Sequence, residues 1–365
     1  MRLLAVLFSV LVTAAKAAPE ARPPLGFADL PGWAQDDHAS ALFAYRRTCR
    51  RGTRICTAGK RALAIGGNAP RTFFETWFRP VEISASGFLT GYFEPEVAAS
   101  DAPSPAHPTP LRGRPAGLVM KPETEPKGWP AGLLAARRTA TGYEALPDRE
   151  GIETGALGAE ADPLAYVDPV DAFMIQVQGS ARLRFADGRA LRVGYDGKNG
   201  YPYTAIGKTL AAQEGIPPSE MTADRLWAWL KAHPDKAPAV MRSNRSFVFF
   251  KLMKTEPKLG PVGAAAVSLE AGRSLAVDHR VWRYGTPIWL EAELPRPEGG
   301  TARLRRLTIA QDTGTAIVGE ARGDLFVGSG DRAGTEASLF RHPARWVVLR
   351  ETPRPRPGRR AGRRR

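Results

Sequence analysis

Cysteine and histidine are scarce in this sequence, which contains two cysteines and five histidines among 365 residues. The histidines show no spacing typical of metal ligands; they are His38, His107, His233, His279 and His342. A glycine-rich loop with a phosphate-binding or dinucleotide-binding pattern is also absent from the sequence. We therefore expect no metal and no bound cofactor, and these absences argue against metalloenzymes and nucleotide-dependent enzymes.

Long apolar runs are scarce too. Residues 3–12 form an apolar run that is too short to span a bilayer, and no later segment reaches the length of a membrane helix. Arg2 precedes the run and Ala15-Lys16-Ala17 offers a cleavage site, so residues 1–17 are predicted to be a secretory signal. An uncleaved anchor is the alternative. Because no cysteine follows the run as a lipid acceptor, we expect a periplasmic protein, with association to the outer membrane as a secondary expectation.

If the protein is exported, its two cysteines are expected to form a disulfide. Cys49 and Cys56 are separated by a short polar stretch. Two neighbouring cysteines commonly pair in an oxidising compartment, whereas a metal site would need further ligands. Cys49 and Cys56 are therefore a candidate disulfide.

The charge of the chain is unevenly distributed. Lysine and arginine number 52 against 37 acidic residues, which gives a formal net charge of +15. Residues 353–365 contribute seven arginines and no acid, and we predict a basic, disordered tail over 351–365. In an exported protein such a tail is expected to contact an anionic envelope surface rather than nucleic acid. A tail that only increases solubility is the alternative.

The pattern of elements predicts a mainly β protein. The 32 prolines and 37 glycines favour turns and short strands. Leu183 and Phe185 alternate against Leu191 and Val193, which predicts a hairpin over 181–195. Helices are predicted at 36–47, 71–78, 204–213 and 223–233, and strands at 86–92, 246–251, 274–277, 286–294, 304–310, 325–327 and 346–349. Residues 97–163 have little periodicity and are predicted to wrap a surface or line a cleft. Short strands with glycine-rich corners indicate a barrel, interrupted by an inserted module.

Three aspartates in the segment 307–331 are the candidates for chemistry. Asp312, Asp324 and Asp331 lie in a glycine-rich stretch, where the backbone permits close approach of a substrate. Asp324 directly precedes an apolar run, and partial burial there would raise the pKa of its carboxyl so that it could act as an acid. Each aspartate could instead be a turn former, and this alternative is strongest for Asp331.

Asp312-Thr313-Gly314 also resembles the active-site motif of aspartic proteases. That chemistry requires two facing aspartates that share a proton. The sequence has a single such motif, so only a homodimeric protease remains as an alternative.

Several longer motifs occur in consistent order over about residues 85–350. They include Leu89-Thr-Gly-Tyr-Phe-Glu-Pro95, Met174-Ile-Gln-Val-Gln-Gly-Ser180, Gly194-Tyr-Asp-Gly-Lys-Asn-Gly200, Asn244-Arg-Ser-Phe-Val-Phe-Phe250 and the aspartate segment. With these motifs the sequence resembles the MltA family, the membrane-bound lytic murein transglycosylase A group. The resemblance implies a double-psi β-barrel with an inserted, smaller β-rich domain and a few helices. We therefore expect the barrel in two parts, at 18–96 and at 239–350, the second with the three-aspartate (3D) domain, and a substrate-binding insert at 97–238.

The resemblance also implies a reaction and a site. The family cleaves the β-1,4 bond between N-acetylmuramic acid and N-acetylglucosamine without hydrolysis and forms 1,6-anhydromuramic acid ends, with exo action favoured. The catalytic acid would be Asp324, supported by Asp312 and Asp331. Softer candidates for substrate contacts are Tyr92, Glu94, Gln176, Gln178, Ser180, Lys198 and Asn199. For each of them a structural role is an equal alternative. The expected partners are peptidoglycan strands and other cell-wall enzymes.

Two function classes remain open besides the transglycosylase and the homodimeric protease. The chain could be a non-catalytic peptidoglycan-binding protein, because a fold does not guarantee chemistry. It could also be an inverting glycoside hydrolase, provided a second carboxylate activates water. One departure from the family pattern bears on the site: Thr315 stands where the family usually has a second glycine, which could narrow the room beside Asp312.

Overall fold

The computed structural model describes residues 25–352 except 218–219, 254–258 and 296–299. The predicted signal, 1–17, and residues 353–365 of the predicted tail lie outside the described residues. Within the described part of the chain, no helix is both long enough and apolar enough to cross a membrane.

The described chain contains fifteen strands and nine α-helices. The strands are β1 Phe78–Glu94, β2 Glu96–Ala99, β3 Thr109–Arg112, β4 Leu118–Met120, β5 Ala135–Thr139, β6 Gly142–Glu144, β7 Pro163–Val167, β8 Ser180–Phe185, β9 Ala190–Lys198, β10 Val248–Leu252, β11 Ser274–Val277, β12 Pro287–Pro295, β13 Thr301–Asp312, β14 Arg322–Ser329 and β15 Arg341–Glu351. The helices are α1 His38–Thr48, α2 Arg54–Ile65, α3 Ala69–Trp77, α4 Arg149–Glu153, α5 Pro169–Gln178, α6 Ile206–Gln213, α7 Ala223–Ala232, α8 Ala237–Arg242 and α9 Asp331–Ser338.

Six of the described strands close into a barrel in the order β1-β14-β11-β13-β12-β15. The pairs β1/β14 and β11/β13 are parallel, and the remaining pairs within the barrel are antiparallel. Alternate residues of these strands fill the interior with large apolar side chains, among them Leu89, Leu275, Leu325 and Trp346. The prediction of a mainly β fold with a barrel in two sequence-distant parts is confirmed.

The N-terminal helices α1 to α3 cover one outer side of the barrel. Trp33, in the short turn before α1, and Phe74 of α3 pack with Trp289 and Val347 from the outer faces of β12 and β15, and Ile309 of β13 belongs to the same cluster. Helix α1 begins at His38, two residues after the predicted start, because the Asp37 side chain accepts a hydrogen bond from the backbone of the first turn. Burial of large aromatics here contributes roughly 2–3 kcal/mol per side chain, so this layer is an integral part of the fold.

A second module contains a sheet with the order β10-β9-β8-β2. Strands β8 and β9 form the predicted hairpin, and Gly188 provides the positive φ, 86°, that its turn requires. Strand β10 pairs antiparallel with β9. This pairing places β10 in the insert sheet, whereas the predicted boundary at 238 places it with the barrel. The insert sheet therefore includes residues up to Leu252.

The segment 97–163 is more ordered than the prediction of a long loop. It contains β2 to β6 and helix α4, arranged in short pairs such as β3/β7 and β4-β5-β6. The strands are only three to five residues long, which is too short to create a clear alternation of apolar and polar residues. Proline and glycine between them masked the strand signal in the sequence.

Candidate active site

Four residues form a row across neighbouring strands of the barrel. In the β1/β14 pair Thr90 lies beside Asp324, and in the β11/β14 pair Ala276 lies beside Asp324. In the β11/β13 pair Ala276 also lies beside Asp312. The two aspartates are thus two strands apart, about 10 Å between Cα atoms at ordinary strand spacing. Ala276 is buried between them, and the Tyr92 side chain reaches from β1 to Asp312.

This row faces outward from the barrel. Leu89, Leu275 and Leu325 adjoin the row along their strands, and all three point into the barrel interior. Since successive side chains of a strand point to opposite faces, their neighbours in the row point away from the interior. Thr90, Ala276 and Asp324 therefore lie on the outer surface, and Asp312, after the register shift between β11 and β13, joins this side through its hydrogen bond with Tyr92.

Asp324 has one occupied and one open carboxylate oxygen. The Thr90 hydroxyl donates a hydrogen bond of 2.6 Å to Oδ1. Among the described residues, none donates a hydrogen bond to Oδ2. Burial raises the pKa of this carboxyl to about 6, against the opposing effects of the Thr90 hydrogen bond and of the Arg322 guanidinium. A carboxyl with this pKa exists in both protonation states near neutral pH, as an acid–base catalyst requires.

Asp312 is held differently. Tyr92 donates its phenolic hydrogen to Oδ2 at 2.7 Å, and the backbone N–H of Ala264 donates to Oδ1 at 2.9 Å. Burial raises the pKa of Asp312, and these hydrogen bonds oppose that change. Both oxygens therefore have partners from the chain. Burial and the adjacent Asp312 charge also raise the pKa of Tyr92, so its hydroxyl remains protonated and continues to donate.

The insert reaches this region through Lys198 at the end of β9. Its ammonium group donates a hydrogen bond of 3.0 Å to the hydroxyl of Thr315, in the loop after Asp312. Desolvation lowers the pKa of Lys198. Thr315, the residue that departs from the family pattern, is itself exposed. It thus links the barrel loop to the insert near the aspartate row.

Asp331 lies outside the row. It is the first residue of α9 and is exposed, where a negative charge stabilises the start of a helix. Together with Gln178 and Trp227 it lines a cavity of about 750 Å³ between the barrel and the insert. Thr90 also lines this cavity, which therefore adjoins the row at Asp324. The structure does not bring Asp331 into hydrogen-bonding contact with the other two aspartates within the described residues.

Glu94 is fully buried at the junction of the two modules. Its carboxylate forms ion pairs with Arg182 at 3.0 Å and Arg192 at 2.7 Å, both from the insert. The hydroxyl of Ser329 donates a third hydrogen bond to Glu94 at 2.7 Å. These contacts fix β1 to β8, β9 and β14. Glu94 therefore holds the two modules together and is not exposed for contact with a ligand.

Three further predicted contact residues are buried inside the insert. Gln176 accepts a hydrogen bond from Arg149 at 2.9 Å, and Ser180 is buried at the start of β8. Asn199 is completely buried and donates to the carbonyls of Pro147 and Arg245. Of the softer candidates, the structure brings Tyr92 and Lys198 to the aspartate row and Gln178 to the adjoining cavity.

Two residues near Asp324 escaped the sequence analysis. Thr90 and Arg322 both affect the pKa of Asp324, one through a hydrogen bond and the other through its charge. Thr90 lies 234 positions from Asp324 in the chain. Only the parallel pairing of β1 with β14 brings them together, and a single sequence carries no signal for that pairing. Within the described residues, no group of three or more His, Cys, Asp or Glu side chains is arranged to hold a metal ion.

Comparison with known proteins gives two family matches. The MltA specific insert domain matches residues 88–251, and the 3D domain matches residues 273–350. The first match ends within β10, in agreement with the pairing of β10 in the insert sheet. The chain is also 35% identical over 214 residues to membrane-bound lytic murein transglycosylase A of Escherichia coli (strain K12), a match that covers 57% of this chain and 57% of that protein. The chain thus matches little more than half the length of this curated relative.

Solved structures match over more of the chain. A membrane-bound lytic murein transglycosylase from Agrobacterium tumefaciens is similar with a TM-score of 0.79 and 33% identity, covering 90% of this chain and 97% of that one. Escherichia coli MltA with bound chitohexaose is similar with a TM-score of 0.68 and 26% identity, covering 89% of this chain and 91% of that one. The folds agree over both the barrel and the insert, and the chain belongs to the MltA family.

Proposed function

We propose that this protein is a peptidoglycan lytic transglycosylase in which Asp324 is the catalytic acid and base. The observation that carries the proposal is the state of Asp324: one open carboxylate oxygen and a pKa raised to about 6 on an outward-facing row. The names of the similar proteins, lytic murein transglycosylases, support the same activity. A relative of this fold with bound chitohexaose supports a glycan as the ligand.

The proposed reaction uses one carboxyl twice. Protonated Asp324 first donates its proton to the oxygen of the β-1,4 bond between N-acetylmuramic acid and N-acetylglucosamine, and the bond from C1 to that oxygen breaks. The resulting carboxylate then removes the proton of the C6 hydroxyl of the muramic residue, whose oxygen bonds to C1. The product carries a 1,6-anhydro ring, and Asp324 returns to its protonated form without a water molecule being consumed.

Thr90 and the Asp312–Tyr92 pair have supporting roles in this scheme. The Thr90 hydroxyl fixes the carboxyl of Asp324 through Oδ1 and leaves Oδ2 available for proton transfer. The Cα atom of Asp312 lies about 10 Å from that of Asp324, and the Asp312 carboxylate helps to stabilise the positive charge that develops on the sugar ring. Tyr92, Gln178 and Lys198 remain the proposed contacts to the glycan.

The hydrogen bonding of Asp312 favours the transglycosylase over the inverting hydrolase. A hydrolase of that type uses its second carboxylate to remove a proton from water. Both oxygens of Asp312 already accept hydrogen bonds, from Tyr92 and from the backbone of Ala264. These hydrogen bonds act to lower the pKa of Asp312 and so weaken it as a base toward water, which favours a mechanism with one acid–base residue.

Digestion of purified sacculi tests the proposal. Wild-type protein should release fragments that end in 1,6-anhydromuramic acid, identified by mass spectrometry. Asp324→Asn should abolish their release, because an amide cannot transfer the proton. Asp187→Asn, the same chemical change at an exposed hairpin turn, is the matched control and should retain activity. Release of reducing ends would point to a hydrolase, and full activity of Asp324→Asn would refute the residue assignment.

The cellular setting is proposed on a coarser basis. The similar proteins are named as membrane-bound enzymes, which is consistent with the periplasm or the outer membrane. We propose export by a cleaved signal at 1–17 and contact of the arginine-rich tail with an anionic envelope surface. Cell fractionation with an antibody to the barrel checks the location: recovery from the cytoplasm alone would contradict it.

A further inference from the structure

The N-terminal helical layer carries a concentrated positive charge that the aspartate row does not use. Residues 46–61 contain seven basic side chains and no acidic one. They are Arg46, Arg47, Arg50, Arg51, Arg54, Lys60 and Arg61. Five of the seven, from Arg50 onward, are exposed. A run of cations without acids is electrostatically unfavourable unless an anionic partner is present, because neighbouring like charges repel.

The basic side chains of α2 share one face of that helix. Arg54 and Arg61 are seven residues apart and lie on the same side of a helix with 3.6 residues per turn. Lys60 is exposed beside them, and Ile65 extends the same face by one more turn. The opposite face is buried, where Gly59 and Ala62 pack toward α1 and α3.

The loop before α2 adds two more cations to this face. Arg50 and Arg51 are exposed, and the disulfide between Cys49 and Cys56 joins this loop to the first turn of α2. Within the described residues, none of the five exposed cations from 50 to 61 forms a salt bridge with an acidic side chain. We call the residues Arg50, Arg51, Arg54, Lys60, Arg61 and Ile65 the basic α2 surface.

We propose that the basic α2 surface binds an anionic phospholipid bilayer as a peripheral contact. Each lysine or arginine close to such a surface strengthens binding about fivefold. Ile65 distinguishes a bilayer from a polyanionic glycan: its side chain is 67% exposed. An apolar side chain gains nothing from a hydrated glycan but can enter the boundary between headgroups and acyl chains, as in amphipathic interfacial helices.

The basic α2 surface lies on the outer side of the helical layer. Helix α2 packs on α1 and α3, and this layer covers β12, β13 and β15 through Trp289, Ile309 and Val347. The row lies on β1, β14, β11 and β13, so it shares β13 with the strands under the layer. Because the basic α2 surface is on the side of α2 away from α1 and α3, a membrane bound there contacts the outside of the layer rather than the row. The inference does not depend on the proposed reaction.

Sedimentation with lipid vesicles tests the proposal on the full chain. Vesicles of phosphatidylcholine with about 30% phosphatidylglycerol should bind the protein, and pure phosphatidylcholine vesicles should bind it weakly. The triple variant Arg54→Gln, Lys60→Gln, Arg61→Gln should bind the anionic vesicles about 100-fold more weakly, since three cations are lost. Ile65→Ser should also weaken binding, and this loss should persist at high salt because it is not electrostatic.

A variant with the same net charge distinguishes the effect of the basic α2 surface from the effect of net charge alone. Arg225, Lys251 and Arg303 are exposed, with 47%, 54% and 68% of their side chains accessible, and lie on other elements. Their triple change to glutamine removes the same charge and should alter binding about twofold or less. Equal losses in both triple variants would overturn the proposal. So would unchanged vesicle binding with weakened binding to sacculi, which would identify an anionic glycan as the partner.

Digestion of isolated sacculi is measured as well, so that a failure of the membrane proposal can be told apart from a failure of the proposed function. The variant with Arg54, Lys60 and Arg61 changed should digest membrane-free sacculi at the wild-type rate, and its circular dichroism should show an intact fold. A protein without transglycosylase activity could still bind vesicles through this surface, so failure of either proposal is recognised independently of the other.

Discussion

The barrel and the insert both place polar side chains out of bulk water, but they satisfy them in different ways. In the insert and at its junction, Glu94, Gln176 and Asn199 are buried with partners from the chain. In the barrel row, Asp324 keeps an oxygen open and its pKa is raised. A buried polar group with all partners supports the fold, whereas one left incomplete is available to a substrate. Complete hydrogen bonding therefore separates the residues that stabilise the fold from Asp324, which can act on a substrate.

The largest expected effect is on catalysis, and it separates the two aspartates of the row. Asp324→Asn should lower the rate of sacculus digestion by about 1,000-fold or more, because general acid–base catalysis contributes on this scale. Asp312→Asn should lower the rate by only about 10–100-fold, because it removes charge stabilisation but no proton transfer. Rates from released fragments check this order. A larger loss for Asp312→Asn would reverse the roles.

The second effect concerns the stability of the junction. Glu94→Gln should reduce the free energy of unfolding by about 3–5 kcal/mol, because it leaves Arg182 and the buried Arg192 without their counter-charge. The control Glu96→Gln breaks a pair whose arginine, Arg184, is 62% exposed, and should cost less than about 1 kcal/mol. Urea unfolding measures both. If Glu94→Gln unfolds like the wild type but shows a raised KM, Glu94 contacts substrate after all.

The third effect is a stability gain at the active site. Burial raises the pKa of Asp324 in the folded state above its usual unfolded value, so ionisation of Asp324 destabilises the fold. The stability contributed by the protonated form is present below about pH 4 and is lost as pH rises through about 6. Asp324→Asn should therefore stabilise the protein by up to about 3 kcal/mol at pH 8 and by little at pH 4. Thermal unfolding at both pH values checks this, and no difference between them would contradict the raised pKa.

The smallest effect is on the pH dependence of the reaction. The Thr90 hydrogen bond lowers the pKa of Asp324, so Thr90→Val should raise it above about 6. Because the first step needs protonated Asp324, the loss of activity toward alkaline pH should move to higher pH by a fraction of a unit. Thr57→Val, at an exposed position of α2, is the matched control. A shift toward acidic pH in Thr90→Val would contradict the assigned hydrogen bond.

The sequence predicted the elements whose signals are local. The hairpin of β8 and β9 follows from alternation around Asp187-Gly188, and α7 begins after its Thr222 cap as expected. The resemblance to the MltA family predicted the double-psi barrel and indicated Asp324 as the catalytic acid. The sequence does not predict pairings between distant segments: nothing near β10 reveals that β9 is its neighbour, so its sequence alone places it with the barrel strands.

The burial and the contacts of individual side chains could not be predicted from the sequence either. Glu94 follows the aromatic Tyr92 and Phe93 in a motif that suggests sugar binding, but its ion-pair partner Arg192 lies 98 positions away. Asn199-Gly200 could be a turn or a contact, and only the fold shows that Asn199 is buried between two backbone carbonyls. Burial depends on which strands meet, and this depends on register rather than on residue type.

Digestion of sacculi in water enriched in ¹⁸O tests the central claim most directly, namely that Asp324 serves alone as acid and base and that no water enters the product. We expect fragments that end in 1,6-anhydromuramic acid and contain no ¹⁸O, together with loss of these fragments in Asp324→Asn. Fragments with ¹⁸O at a reducing muramic end would show that water attacks C1, and would contradict the account.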